Sequence, residues 1–378
     1  MDFSFINFLP FIIFGLALLF GGHYFIYRSL ISVFNISGLF KSGLAAFFII
    51  LPAGFFFASF IVHISQSPIT KFIYIITASW LGIAINLLLA AIFIWLISWL
   101  MNLAGLNFNR LIFGLGLFSV AVIFSAYGFR NAFHPQIKNL EVKIKNLPAA
   151  WQGKTIIQLS DVHLGQVHSP AFMQSVADKV NAQNPDLILI TGDLLDGMDG
   201  NLDGFAGPLN SLRAKQGIFF VTGNHETYLG LNNALDVLRK TDIKVLNDQF
   251  VDINGLQVVG ISFPSPDSAN IKGDSKNTAQ IIASLPNLNK TEPIILMHHA
   301  PTNLDQAKKA GVALQLSGHT HAGQIWPFKF FPWLIFGQYY YGLHTMGDFS
   351  IYTTSGIGTW GPPMRTTGAP EIPVFKLQ

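Results

Sequence analysis

The sequence predicts a chain in two parts. An all-α transmembrane bundle of about four helices fills residues 1–135, and an α/β sandwich with two mixed β-sheets fills residues 136–378. Three observations carry this reading. Residues 1–135 hold only six charged side chains, Asp2, Arg28, Lys41, Lys71, Arg110 and Arg130, while the rest carries 18 of the 23 basic and 19 of the 20 acidic groups. The same region contains four long apolar stretches. Beyond it, short β-rich apolar runs alternate with amphipathic segments.

A helix needs about 20 apolar residues to cross the hydrocarbon core of a bilayer. Phe8–Tyr27, Gly43–His63, Phe72–Leu100 and Leu111–Phe129 meet that length. The first has no basic leader and is followed by further spans, so it reads as a helix of a multi-pass domain and not as a cleaved signal. Trp80, Trp95 and Trp99 suit either a membrane interface or packing between helices. Asn86, polar at mid-span depth, suits an interhelical hydrogen bond. Basic residues near the span ends set orientation. Lys71, Arg130, Lys138, Lys143 and Lys145 fall on one side, and Arg28, Lys41 and Arg110 on the other. This bias predicts a cytoplasmic second part.

In that second part, strands are predicted at Thr155–Leu159, Asp186–Thr191, Ile218–Val221, Leu256–Ser262, Pro293–Met297, Ala313–Leu316, Phe349–Thr353 and Ile372–Phe375. Helices are predicted at Ala171–Asn181, Phe205–Leu212, Leu231–Lys240 and Thr302–Ala310. Near-continuous apolar strands between helices imply sheets buried on both faces. Net charge is +3 and no basic stripe stands out, so no nucleic-acid partner is expected. The chain has no cysteine, which excludes disulfides and thiolate metal sites.

Polar residues cluster where these strands end: Asp161-Val162-His163, Gly192-Asp193, Gly223-Asn224-His225-Glu226, His299 and Gly318-His319-Thr320-His321. Asp, His and Asn together suit two divalent cations about 3.5–4 Å apart. One carboxylate must bridge such a pair, and Asp193 is the candidate. Asp161 and His163, two apart on an extended chain, point the same way toward one metal. His319 and His321 share that spacing. Asn224 adds a neutral oxygen, and His225 is placed to protonate a leaving alkoxide. Of the adjacent His298 and His299, the second falls at the turn and is the expected ligand. Each fragment alone is weak; the ordered set is specific.

That ordered set resembles the calcineurin-like metallophosphoesterase superfamily, whose pattern runs Asp-x-His, Gly-Asp-x-x-Asp, Gly-Asn-His-Asp/Glu, His, Gly-His-x-His. The resemblance covers about residues 140–378 and includes Asp196 as the second Asp of Gly-Asp-x-x-Asp. It implies a four-layer sandwich and metal-dependent hydrolysis of phosphoric ester or pyrophosphate bonds. It implies Asp161, His163, Asp193 and His321 around one metal, and Asp193, Asn224, His299 and His319 around the other. A metal-bridging hydroxide would attack, with His225 and Asp193 as catalytic residues and Asp196 behind the ligands. Manganese, iron or zinc all fit N/O ligands. The segments Ser317–Ile325 and Ser355–Thr359, with Arg365 and Ala369-Pro370-Glu371-Ile372, look like the membrane-associated bacterial branch, some of whose members have proposed roles on UDP-diacylglucosamine.

The segment Ile325–Phe336 is dense in aromatics and interrupted by prolines. With Lys329 it suits the lipid headgroup zone. Trp326, Phe330 and Trp333 are therefore candidate substrate or membrane contacts, and Arg365 of the branch-like tail is a further candidate. The sequence thus predicts a multi-pass phosphoesterase of the bacterial cell membrane, acting on a phosphorylated small molecule or lipid such as a UDP-diacylglucosamine-like substrate. Two alternatives stand beside it: a tethered nucleotide phosphodiesterase, and a membrane sensor that binds a ligand without turnover.

Overall fold

A computed structural model describes residues 3–65, 67–197, 202–264 and 276–378. Contacts divide the chain into two units. One comprises Met1–Phe129 with Gly361–Met364, and the other Arg130–Trp360 with Arg365–Gln378.

The first unit is built on α1 (Phe3–Phe34), α2 (Gly38–Ile64), α3 (Pro68–Leu103) and α4 (Arg110–Ala132). All four are long and apolar enough to cross a membrane. Helix α3 is well started: Ser67 Oγ accepts the Thr70 N–H and Pro68 occupies the first helical position, where a missing N–H costs nothing. Small residues let the helices approach. A Cβ added at Gly114 of α4 would lie 2.3 Å from Val33 of α1. Polar side chains then bond between helices. Asn86 Nδ2 donates to Ser125 Oγ at 2.8 Å, Trp80 Nε1 to His23 Nε2 at 3.0 Å and Trp95 Nε1 to Ser29 Oγ at 2.9 Å. Asn86 thus does what its position predicts, Trp80 and Trp95 work between helices, and Trp99 is exposed. Met364 packs within 3.0 Å of the Cβ position of Gly82.

The second unit follows the order β1 (Gln136–Val142), β2 (Thr155–Leu159), α5 (Pro170–Asn181), β3 (Leu187–Thr191), α6 (Ala206–Asn210), β4 (Ile218–Val221), α7 (Asn224–Leu229), α8 (Leu231–Leu238), β5 (Lys244–Val245), β6 (Gln249–Ile253) and β7 (Leu256–Ile261). It continues with α9 (Thr278–Ser284), β8 (Ile294–His298), α10 (Leu304–Lys309), β9 (Val312–Ser317), α11 (Phe330–Phe336), β10 (Gly342–Met346), β11 (Phe349–Thr353) and β12 (Glu371–Leu377). Among the described residues these strands form two six-stranded mixed sheets, ordered β1-β12-β2-β3-β4-β5 and β10-β11-β9-β8-β7-β6.

Side-chain alternation assigns the layers. In β3, Leu187 and Leu189 enter the core between the sheets, while Ile188 and Ile190 face α5, α6 and α8. In β8, Ile295 and Met297 face the other sheet, while Ile294 and Leu296 face α9 and α10. Each fully buried Leu or Ile contributes about 1.5–3 kcal/mol, so both faces of both sheets hold the sandwich together. The result is helices, sheet, sheet, helices. Strands β2, β3 and β4 run parallel, as do β7, β8 and β9, so each trio ends its carboxyl termini together.

The predicted strands and helices are present within a few residues. The sequence reading omitted β1, β5, β6, β10, α7, α9 and α11. Strands β1 and β6 are only partly buried and carry polar residues, which blurs a period-two apolar signal. The prolines that interrupt Ile325–Phe336 do not prevent α11, because Pro332 falls in its first turn, where proline is tolerated.

Candidate metal centre

Each motif follows the carboxyl end of a parallel strand: Asp161 and His163 after β2, Asp193 after β3, Asn224 after β4, His299 after β8, His319 and His321 after β9. The loops close tightly because glycines stand where side chains would collide. A Cβ at Gly223 would lie 2.1 Å from Asp193 Oδ1, and one at Gly318 would lie 2.1 Å from Asp161 Oδ2.

The structure brings all seven predicted ligands together. One group joins Asp161, His163 and His321, with His163 Nε2 3.0 Å from His321 Nε2 and His321 Nε2 3.4 Å from Asp161 Oδ1. A second joins Asp193, His299 and His319. His299 Nε2 lies 3.1 Å from Asp193 Oδ2 and 3.1 Å from Asn224 Oδ1, which is 2.9 Å from His319 Nδ1. Asp193 Oδ2 also lies 3.9 Å from His163 Nε2, so this carboxylate stands between the groups. A third group sets His225 with His163 and Asp193.

Two sequence arguments need correction. Asp161 and His163 do not lie on extended backbone: φ is 52° and 51°, in the left-handed region. His319, His321 and Asp193 share it, at 71°, 49° and 51°. Left-handed residues here re-aim side chains at a point, and strain of this kind is kept where neighbours over-determine it. The common spacing also fails as a guide to pairing. His321 joins the Asp161 group, whereas His319 turns to His299.

Hydrogen bonds set the free atoms. His299 Nδ1–H donates to Thr191 O at 2.8 Å, leaving Nε2 for the centre. His225 Nδ1–H donates to Asp196 O at 2.8 Å, leaving its own Nε2. The Asp196 carboxylate lies 3.4 Å from His163 Nδ1, behind that ligand. His298 is buried away from these groups.

Burial, reinforced by neighbouring imidazoles, pushes His163 and His319 down to about 3 and His321 well below its ordinary value. All three are neutral and present lone pairs. His299 differs: burial works against its charge, but Asp193 and a hydrogen bond to it push it up to about 9. Burial raises Asp193, yet His299 and His225 hold it well below the carboxylate range. Buried N and O donors, gathered in threes around a shared carboxylate, fit a pair of divalent cations.

Some supporting residues had no predicted role. Glu226 Oε2 accepts the N–H groups of Asp193 at 3.0 Å and Gly223 at 2.7 Å, and Oε1 that of Leu195 at 3.0 Å. It ties the β3 and β4 loops together. Gln158 donates to Thr191 Oγ1 and Ser317 O, both at 2.9 Å, linking one sheet to the other. A glutamine inside the apolar strand Thr155–Leu159 was the available signal.

The candidate contact residues separate. Phe330 and Trp333 are exposed on α11, and Trp326 is half-buried. Arg365 is corrected as a surface contact. It is fully buried, with Nη2 3.2 Å from His321 Nδ1 and donating to Gly358 O at 2.6 Å.

Residues 154–323 match the calcineurin-like phosphoesterase family. A metallophosphoesterase of Campylobacter jejuni is 32% identical over 100% of this chain and 99% of its own length. One from Helicobacter pylori is 32% identical over 72% of this chain and 70% of its own. A transmembrane protein with metallophosphoesterase domain from Danio rerio is 28% identical over 68% of this chain and 61% of its own. With this ligand geometry and a full-length relative at that identity, the chain belongs to the calcineurin-like metallophosphoesterase family.

Proposed function

We propose that this chain is a multi-pass membrane phosphoesterase with a binuclear metal centre, hydrolysing a lipid-linked phosphoester or pyrophosphate. A UDP-diacylglucosamine-like molecule is the type of substrate meant. The observation that carries the reading is the shared position of Asp193 between two buried His-containing donor groups.

Asp161, His163, Asp193 and His321 would hold one cation, and Asp193, Asn224, His299 and His319 the other; manganese, iron or zinc suits these donors. Bound divalent cations supply Lewis acidity to the phosphoryl oxygens and to attacking water. The protein's own share is orientation and proton transfer. His225, its Nδ1–H committed to Asp196 O, would in its doubly protonated form present Nε2–H to the leaving oxygen. Glu226 keeps the loops of Asp193 and Asn224 in register.

Support for a lipid-linked substrate comes from two features. The chain carries four helices long and apolar enough to span a bilayer. On α11, Phe330, Phe331, Trp333 and Leu334 are exposed, and the ring of Phe336 lies 6.0 Å from that of His319. An apolar surface therefore begins at the metal centre.

The test uses the full chain in lipid nanodiscs. Chelator-sensitive release of phosphate from a generic aryl phosphate, abolished by Asn224→Ala, is expected. Turnover that ignores chelator and substitution overturns the reading, and metal binding without any turnover favours a sensor. Replacing Trp326, Phe330 and Trp333 by Ser should lower turnover of a lipid phosphoester more than that of the aryl phosphate. Equal losses would remove the lipid assignment, and faster turnover of nucleotides than of lipids would favour the nucleotide phosphodiesterase.

A further inference from the structure

We infer that Tyr228 and Trp360 form a leaving-group subsite that selects substrates whose leaving group is apolar. The inference rests on the phosphoesterase reading above and assigns a specificity to the same centre.

Two aromatic rings flank the proton-donor candidate. The Tyr228 ring lies 5.5 Å from that of His225 at an interplanar angle of 57°, and the Trp360 ring lies 6.3 Å away at 80°. Both are open, 62% and 58% exposed. A single exposed aromatic needs no explanation. Two beside one catalytic candidate, each with its backbone fixed, are a different case.

Tyr228 stands three residues after His225 on α7, so both project from one face of the same helical turn. Trp360 comes from a distant loop, and buried side chains hold it. Its N–H donates to Gln324 Oε1 at 2.9 Å, and its C=O accepts from Gln324 Nε2 at 2.9 Å. Gln324 is anchored in turn, its carbonyl accepting the Thr366 N–H at 2.9 Å. One residue earlier, the Thr359 N–H donates to the buried His168 Nε2 at 2.9 Å. Neither Gln324 nor His168 is among the metal donors; Gln324 spends both side-chain polar atoms on this loop, and His168 its Nε2. A locked backbone beneath an open ring is a preorganised contact, which binds without first ordering the chain.

The chemistry of the contact follows from the rings. A leaving group that departs toward His225 Nε2 passes these aromatic surfaces. Ring or alkyl groups gain contact there, whereas a hydrated group loses water without recompense.

The test compares 2-phenylethyl phosphate with ethyl phosphate, each as the monoester and as the methyl diester. The two alkoxides are similar in basicity and differ by one ring. Full-chain protein is expected to favour the phenylethyl compound by about tenfold in kcat/KM, mainly through KM. Trp360→Ala with Tyr228→Ala should reduce this preference to within about threefold while bound metal per chain stays at the parent value. Trp360→Phe should restore most of it. A parent enzyme without preference, or variants that lose both substrates equally, overturns the subsite alone. Absence of metal-dependent turnover on all four compounds and on the generic aryl phosphate overturns the phosphoesterase reading and the subsite with it.

Discussion

The backbone N–H of His225 donates to Asp193 Oδ1 at 2.9 Å, which leaves Oδ2 as the oxygen facing both imidazole groups. The carboxylate between the two groups thus uses one oxygen toward the centre and the other to seat His225. Asp193→Asn should retain that seat in part but lose the anion. Bound metal should fall below one ion per chain, and turnover should vanish, as measured by elemental analysis and phosphate release. Retention of two ions would show that Asp193 is not shared.

Glu226 accepts three N–H groups from the loops around Asp193 and Gly223. Glu226→Gln puts an amide N–H₂ against one or more of these donors. A loss of about 1–3 kcal/mol in unfolding free energy is expected, with weakened metal binding. An unchanged denaturation midpoint would contradict this role.

Gly318 has no room for a methyl group, since its Cβ would overlap Asp161 Oδ2 and Ser160 Oγ, each at 2.1 Å. Gly318→Ala should displace Asp161 or the His319 loop by up to about 1 Å and cost about a hundredfold in kcat. Thermal stability and kcat measured side by side would check this; a variant with parental kcat refutes it.

His168 offers a pH test away from the ligands. Burial first, then the nearness of the His163 imidazole and the Arg365 cation, which disfavour a further positive charge, push His168 down to about 3 from an ordinary 6.5. The unfolded chain therefore takes up a proton that the folded chain refuses. The stability tied to neutral His168 is complete above pH 6.5 and drains away as pH falls from 6.5 toward 3. His168→Gln should be less stable at pH 7, yet lose less stability between pH 7 and pH 5 than the parent. Parallel stability curves for the two proteins would exclude this.

Orientation can be read chemically, because the chain has no cysteine of its own. Lys290 is exposed on the second unit. Lys290→Cys should react with a membrane-impermeant maleimide only after the membrane is opened, if that unit is cytoplasmic as the distribution of basic residues implies. Labelling of intact cells would reverse the assignment.

Much of this molecule was legible in one dimension. Apolar length marks α1–α4, and runs such as Leu187–Thr191 mark strands buried on both faces, because hydrophobic periodicity is a local property. That the seven candidate donors would gather was legible too, since each follows the end of a buried strand. Other features lie beyond local pattern. That His319 and His321 serve different groups is not encoded in their spacing, and in the sequence only the family resemblance implied it. The single facing oxygen of Asp193, the Asp193 and Leu195 N–H groups on Glu226 and the lock of Gln324 on Trp360 join residues some 30 or more positions apart. Such contacts exist only once neighbouring strands have paired and the loops at their carboxyl ends meet.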